Sequence, residues 1–215
     1  GYMNPVTPRR VLVLAPHIDD GELGCGASMS RFLEEGIETY YVAMSTADKS
    51  LPEGYPPGTL KSELTDAMRV LGLPESNTMV FDFEVRTFSY RRQEVLDCMY
   101  RISRDVQPDF VLMPSLNDMH QDHQVLAQEA LRAFKTRTIL GYEMPWNNIS
   151  FNTTCFVPLD QRHVARKIDA LKCYETQKHR SYISPDFIRS LAISRGTQIN
   201  KEYAEAFEVI RLVID

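Results

Sequence analysis

Two short stretches of the chain carry more histidine and carboxylate than a turn needs. In "VLVLAPHIDDGELGCG", residues 11–26, an apolar run ends in His17, Asp19, Asp20 and the glycines Gly21, Gly24 and Gly26. In "PSLNDMHQDHQ", residues 114–124, His120, Asp122 and His123 follow a second apolar run. Such charge at the end of a buried strand points to a bound cation, a phosphate or a reacting group. Zinc takes nitrogen and oxygen ligands, and a catalytic zinc keeps three protein ligands beside an open position for water. His17, one of the two aspartates and His123 would supply that set.

Each piece also has a plainer explanation. A lone histidine after a strand is usually a capping or surface group, and Asp19 or Asp20 alone would serve as a helix N-cap. The glycines could cradle a dinucleotide pyrophosphate. Their spacing, however, is G-x-x-G-x-G and not G-x-G-x-x-G, and the next strand ends in Met44-Ser45-Thr46 without a ribose-binding acid. Two His/Asp clusters are harder to explain as caps if the fold brings them together.

The elements that would do so alternate along the chain. Strand-like runs are expected at 11–14, 39–44, 79–83, 110–113, 139–143, 154–157 and 208–214, rich in β-branched and aromatic residues. Helical periodicity is expected at 23–35, 61–71, 91–106, 125–134, 164–174 and 185–195, with Gly36 and Gly72 as C-terminal stops. Residues 51–58, "LPEGYPPG", form a surface loop. This alternation predicts an α/β fold: one Rossmann-like domain over residues 1–215, a mostly parallel central sheet with helices on both faces. In such sheets ligands gather beyond the carboxyl ends of the strands. Both clusters sit there. Loop 45–58, segment 176–185, Tyr142 and Trp146 are candidates for shaping the pocket, and each could equally be packing.

Composition narrows the classes further. A length of 215 residues suits one sizeable core. Twenty-four basic against 29 acidic residues leave a net charge of −5, with the basic ones scattered, so nucleic acid is not the expected partner. No apolar stretch approaches the roughly 20 residues that span a bilayer, and residues 1–10 lack the apolar segment of a leader peptide. A cytoplasmic location is the expectation. Cys25, Cys98, Cys155 and Cys173 form no C-x-x-C pair, which argues for reduced thiols and against a disulfide framework.

The segment "APHIDDGELGCGAS" resembles the A-H-P-D-D-E motif of the LmbE/PIG-L family of zinc-dependent N-acetylglucosaminyl deacetylases, and "HQDH" resembles its downstream H-x-D-H. The stretches "KSELTDAMRVLG", "GYEMPW", "LKCYETQ" and "SRGTQINKEYAEAF" are similar to segments found in that order in the family. The resemblance implies a hydrolase that removes an N-acetyl group from an amino sugar or its conjugate with one zinc ion per chain. It implies His17, Asp20 and His123 as metal ligands and Asp19 as general base. His120 would stabilise the oxyanion or act as acid, and Asp122 would orient a histidine. The family proline is Ile18 here, the glutamate expected directly after the aspartates is Gly21 with Glu22 one place later, and an expected arginine aligns with Lys61. The expected partner is a small N-acylated amino sugar or conjugate; a homo-oligomer stays open. The alternatives are an amidase for a non-sugar amide and, in another class, a nucleotide- or dinucleotide-binding module without metal.

Overall fold

Residues 11–15 are buried on both sides, and their alternation decides the architecture. In the computed structural model, which describes residues 6–215, Val11, Val13 and Ala15 enter one apolar core while Leu12 and Leu14 enter another. A strand buried on both faces needs helices above and below it. It forms β1 (Arg10–His17), followed by α1 (Asp20–Glu34), β2 (Glu38–Ser45), α2 (Thr59–Leu71), β3 (Thr78–Val80), α3 (Arg92–Val106) and β4 (Phe110–Pro114). The chain continues through α4 (Gln121–Ala133), β5 (Thr138–Tyr142), β6 (Cys155–Leu159), α5 (Gln161–Lys172), α6 (Pro185–Gln198) and β7 (Tyr203–Arg211). The seven strands lie in the order β3-β2-β1-β4-β5-β7-β6. All neighbours are parallel except β7, which runs against both β5 and β6.

Helices α1, α2, α5 and α6 pack on one face through Met29, Leu64, Met68, Ile168, Leu171 and Ile188. Helices α3 and α4 cover the other through Leu96, Met99, Leu126 and Ala130. Strand order reverses between β1, which leads outward to β2, and β4, which leads the other way to β5. At that switch point the connections diverge and leave a crevice at the carboxyl ends. The site described below lies there.

Three differences from the sequence expectation stand out. Helices α1, α4 and α5 begin about one turn before their apolar periodicity, because their first turns are built from polar residues. The strand expected at 208–214 is β7 at Tyr203–Arg211, with Ile214 exposed. The strand starts earlier because its charged positions are satisfied in the interior: Glu205 and Glu208 are both buried and paired, Glu205 with Lys167 and Ser28, Glu208 with Asn117 and Ser115. The strand expected at 79–83 is shortened to Thr78–Val80.

Gly21 and Gly24 have a packing explanation. A Cβ at Gly24 would fall inside the Tyr142 ring, and one at Gly21 against Tyr41. Tyr142 is buried and donates its hydroxyl to Leu14 O at 2.8 Å, so it is a packing residue. Residues 1–5 of the segment read for a leader peptide lie outside the described residues. Among the described residues no helix is long and apolar enough to cross a membrane.

Candidate active site

The two clusters meet. His17 closes β1, and its backbone N–H donates to Asp20 Oδ2 at 2.9 Å. To turn from strand into helix within so few residues, Asp19 takes φ 84° and ψ −23°, a left-handed conformation that is strained for a residue with a side chain. Asp19 makes no side-chain capping bond to the helix it precedes. Across the crevice His120 caps α4: its Nδ1 accepts the Asp122 N–H at 3.1 Å. His123 then falls in the first helical turn and points back at the first cluster.

Asp20 Oδ2 lies 3.4 Å from His17 Nδ1 and 3.1 Å from His123 Nε2. The opposite ring nitrogens are held by carboxylates, His17 Nε2 by Asp122 Oδ2 at 2.7 Å and His123 Nδ1 by Asp118 Oδ2 at 2.6 Å. Because an ionised carboxylate only accepts, each of these ring nitrogens carries a hydrogen, and in the neutral imidazole the nitrogen facing Asp20 has its lone pair free for a metal. His123 Nε2 is buried and has no hydrogen-bond partner. A partnerless polar atom in the interior is costly.

A divalent metal would resolve that cost. Bonds of about 2.0–2.1 Å at tetrahedral angles put ligand atoms about 3.4 Å apart, close to the observed separations. His17, His120 and His123 also each offer a nitrogen within 4.8 Å of the others. The donor set, nitrogen and oxygen with carboxylates behind the imidazoles, has the chemistry of a zinc site. His120 differs from the other two histidines in that its Nδ1 is already occupied by a backbone N–H.

Electrostatics separates groups of one type. Burial raises the Asp19 carboxyl well above the usual range, and the charges of Asp20 and Glu22 raise it further. Burial also works against the charge of Asp20, but His123 and His17 outweigh it and hold that carboxyl below the usual value. His120 is pushed down to about 4 by burial and by the other two histidines. For His123 burial opposes the charge, yet Asp20 and Asp118 prevail and raise it to about 10.

Asp118 and the backbone that holds Asp122 lay outside the sequence reading, and the surroundings of Glu22 and Trp146 emerge only in the fold. Asp118 orients His123 and accepts the His120 backbone N–H at 2.9 Å. Its one signal is its place beside "MHQDH", where it looks like an ordinary turn residue. Asp122 is held by the backbone N–H groups of Arg86 at 2.6 Å and Phe88 at 3.3 Å, for which no side-chain signal exists. Glu22 is buried and receives the hydroxyls of Tyr41 and Tyr174. Trp146 stacks on Tyr182 with centroids 4.0 Å apart and planes 9° off parallel, and Phe187 meets it edge-on at 6.0 Å.

The family described as "PIG-L: GlcNAc-PI de-N-acetylase" matches residues 12–134, more than half the chain and the span that holds both clusters. The chain belongs to the PIG-L family. It is similar to YaiS of Escherichia coli strain K12, an uncharacterized deacetylase, with 28% identity over 179 residues, 80% of this chain and 90% of YaiS. Among solved structures it resembles the N,N'-diacetylchitobiose deacetylase of Pyrococcus horikoshii, with a TM-score of 0.78 and 20% identity, covering 94% of this chain and 84% of that one. The conserved protein TT1542 of Thermus thermophilus matches with a TM-score of 0.77 and 22% identity over 95% of this chain and 96% of its own. So does GalB, the 4-carboxy-2-hydroxymuconate hydratase of Pseudomonas putida KT2440, at 0.77 and 20% over 96% and 98%. This PIG-L fold therefore carries more than one reaction, and fold likeness alone does not choose between them.

Proposed function

We propose that this PIG-L chain is a zinc-dependent N-deacetylase that hydrolyses the acetamide of an amino sugar or its conjugate. The observation that carries the reading is the convergence of His17 Nδ1, Asp20 Oδ2 and the partnerless His123 Nε2 beside a strained, buried Asp19. The family description and the deacetylases among the relatives support the choice of reaction. In this reading His17, Asp20 and His123 hold one divalent ion. When bound, the ion supplies a Lewis acid and lowers the pKa of a coordinated water from 15.7 toward about 7.

The chain's own residues do the rest. Asp19 is next to a ligand yet bonded to nothing in its helix, and burial raises the proton affinity of its carboxylate, so in its ionised form it is suited to take a proton from the attacking water. His120 receives a backbone N–H at Nδ1, which fixes its neutral tautomer with the hydrogen on Nε2. That hydrogen is available to the oxygen on which charge develops, a contribution worth about 3 kcal/mol. A neutral His120 has no second proton to give, so Asp19 returns its proton to the leaving amine. Asp122 and Asp118 keep the two ligand imidazoles turned toward Asp20.

The test is acetate release from a panel of N-acetylated sugars, free, nucleotide-linked and lipid-linked, with metal content measured on the same preparation. Acetate release lost on chelation and restored by zinc is expected. No acetate from any member, or water addition to an unsaturated acid instead, would overturn the reading; release from non-sugar amides alone would favour the broader amidase.

A further inference from the structure

His17 stands between two carboxylates, either of which can take its hydrogen. Asp122 Oδ2 lies 2.7 Å from Nε2, and Asp20 Oδ2 lies 3.4 Å from Nδ1. A neutral imidazole carries one hydrogen, so the better placed carboxylate receives it and the other ring nitrogen keeps its lone pair. Only a hydrogen on Nε2 leaves Nδ1 able to hold a metal beside Asp20. Whatever fixes Asp122 therefore decides what His17 can do.

Both oxygens of Asp122 are pinned from one turn in the connection between β3 and α3. The Arg86 N–H donates to Oδ2 at 2.6 Å and the Phe88 N–H to Oδ1 at 3.3 Å, so the fully buried carboxylate is held against rotation. The buried Phe88 ring also meets the His17 ring edge-on, with centroids 5.8 Å apart. The turn is closed by the Thr87 N–H on Glu84 O at 3.2 Å, and at its third residue, Arg86, φ is 68°. A turn with positive φ at that place usually takes glycine, because a residue with a side chain is strained there. The Arg86 side chain does not account for the conformation: it is exposed, and its own hydrogen bond, from Nη1 to Ser50 Oγ, is 3.4 Å long. The main chain does. Strain of this kind persists where the surroundings over-determine it, and here the N–H is fixed on a buried charge.

We propose that Arg86 is a positioning residue: its left-handed main chain pins Asp122, and through Asp122 it settles the hydrogen of His17 on Nε2 and leaves Nδ1 for the metal. This rests on the metal site of the deacetylase reading and adds to it the element that selects the tautomer.

Three substitutions grade the effect. R86P removes the N–H and forbids positive φ, R86V keeps the N–H but disfavours that φ, and R86G keeps both. Two measurements are made on the metal-free chain: zinc affinity by calorimetry, and the ¹⁵N shifts of the His17 imidazole at alkaline pH, which report the nitrogen that carries the hydrogen in the neutral ring. The native ring should carry it on Nε2. R86P and R86V should share it between Nε2 and Nδ1 and bind zinc about 10- to 100-fold more weakly, with circular dichroism unchanged. R86G should restore the native tautomer and bring affinity back to within about threefold of the native chain. Because the effect passes through Asp122, R86V should weaken zinc binding no further in a D122N background. If R86P does not fold, R86V decides. Native His17 shifts in R86V, a loss in R86G equal to that in R86V, or additive losses in the double variant would overturn the assignment. The shifts need no metal and no turnover, so a chain that binds no zinc or releases no acetate fails the deacetylase reading while the His17 tautomer still tests Arg86.

Discussion

Asp19 and Asp20 are adjacent in sequence and opposite in character. The turn at Asp19 sends the Asp20 carboxylate back to His17 and His123, which favour its ionised form, and leaves Asp19 buried where its charge is disfavoured. Substitution by asparagine separates the roles. Asp19→Asn should retain metal and substrate affinity and lose turnover by about 10²- to 10⁴-fold, the range of general-base losses, while Asp20→Asn should lose metal. Metal analysis beside acetate kinetics checks both, and exchange of the two outcomes would exchange the roles. Asp118→Asn tests the support behind His123: loss of the carboxylate should weaken metal binding about 10- to 100-fold with circular dichroism unchanged, and unaltered affinity would remove Asp118 from the site. The candidate histidines were legible in sequence because two of them stand with an aspartate in a four-residue segment. Asp118 was not, since its contact with His123 exists only once α4 starts at Gln121.

At the scale of elements, the first turns were the hardest part to read and the most important for the site. Periodicity locates a helix by its buried stripe, and the first turns of α1 and α4 face the crevice with Asp20, Asp122 and His123. Charged, buried and helical together, these residues matched no simple pattern. The glycines following Asp20 read in the sequence as a turn that could cradle a phosphate, and their packing role was not legible because the Tyr41 and Tyr142 rings come from other strands. Gly24→Ala decides between two opposing effects. Helix propensity favours alanine by about 1 kcal/mol, whereas driving a methyl into the Tyr142 ring costs typically 1–3 kcal/mol. Because Tyr142 is fully buried and tied to β1, it cannot swing away, and a lower urea midpoint is expected. A midpoint above that of the native chain would mean that the ring moves freely and that α1 does not owe its seat to the missing side chain.

For the molecule as a whole, metal and proton compete for His123 Nε2, and that competition should be visible in global stability. Without metal, the His123 pKa is about 10 in the folded chain, against 6.5 for an unperturbed histidine. A raised histidine binds its proton more tightly in the native state, so its contribution is complete below pH 6.5 and is lost as pH rises toward 10. His120, lowered to about 4, works in the opposite sense and at lower pH, losing stability as pH falls from 6.5 to 4. Glu22, raised to about 7 by burial against the lowering effect of Tyr174 and Tyr41, loses its contribution between about pH 4.5 and 7. Between pH 8 and 10 these two have finished titrating and His123 is still losing its proton. The metal-free chain should therefore show a Tm that falls from pH 8 to pH 10, more steeply than His123→Gln does over the same range; the variant allows for thiols and phenols that titrate in both. Zinc stands where the proton stood, so the loaded chain should hold its Tm across this interval and exceed the metal-free chain most at pH 10. Scanning calorimetry on native and variant chains, with and without zinc, makes the comparison. Parallel Tm curves for loaded and metal-free protein would show that the metal does not replace the His123 proton, and the ligand set would have to be redrawn without it.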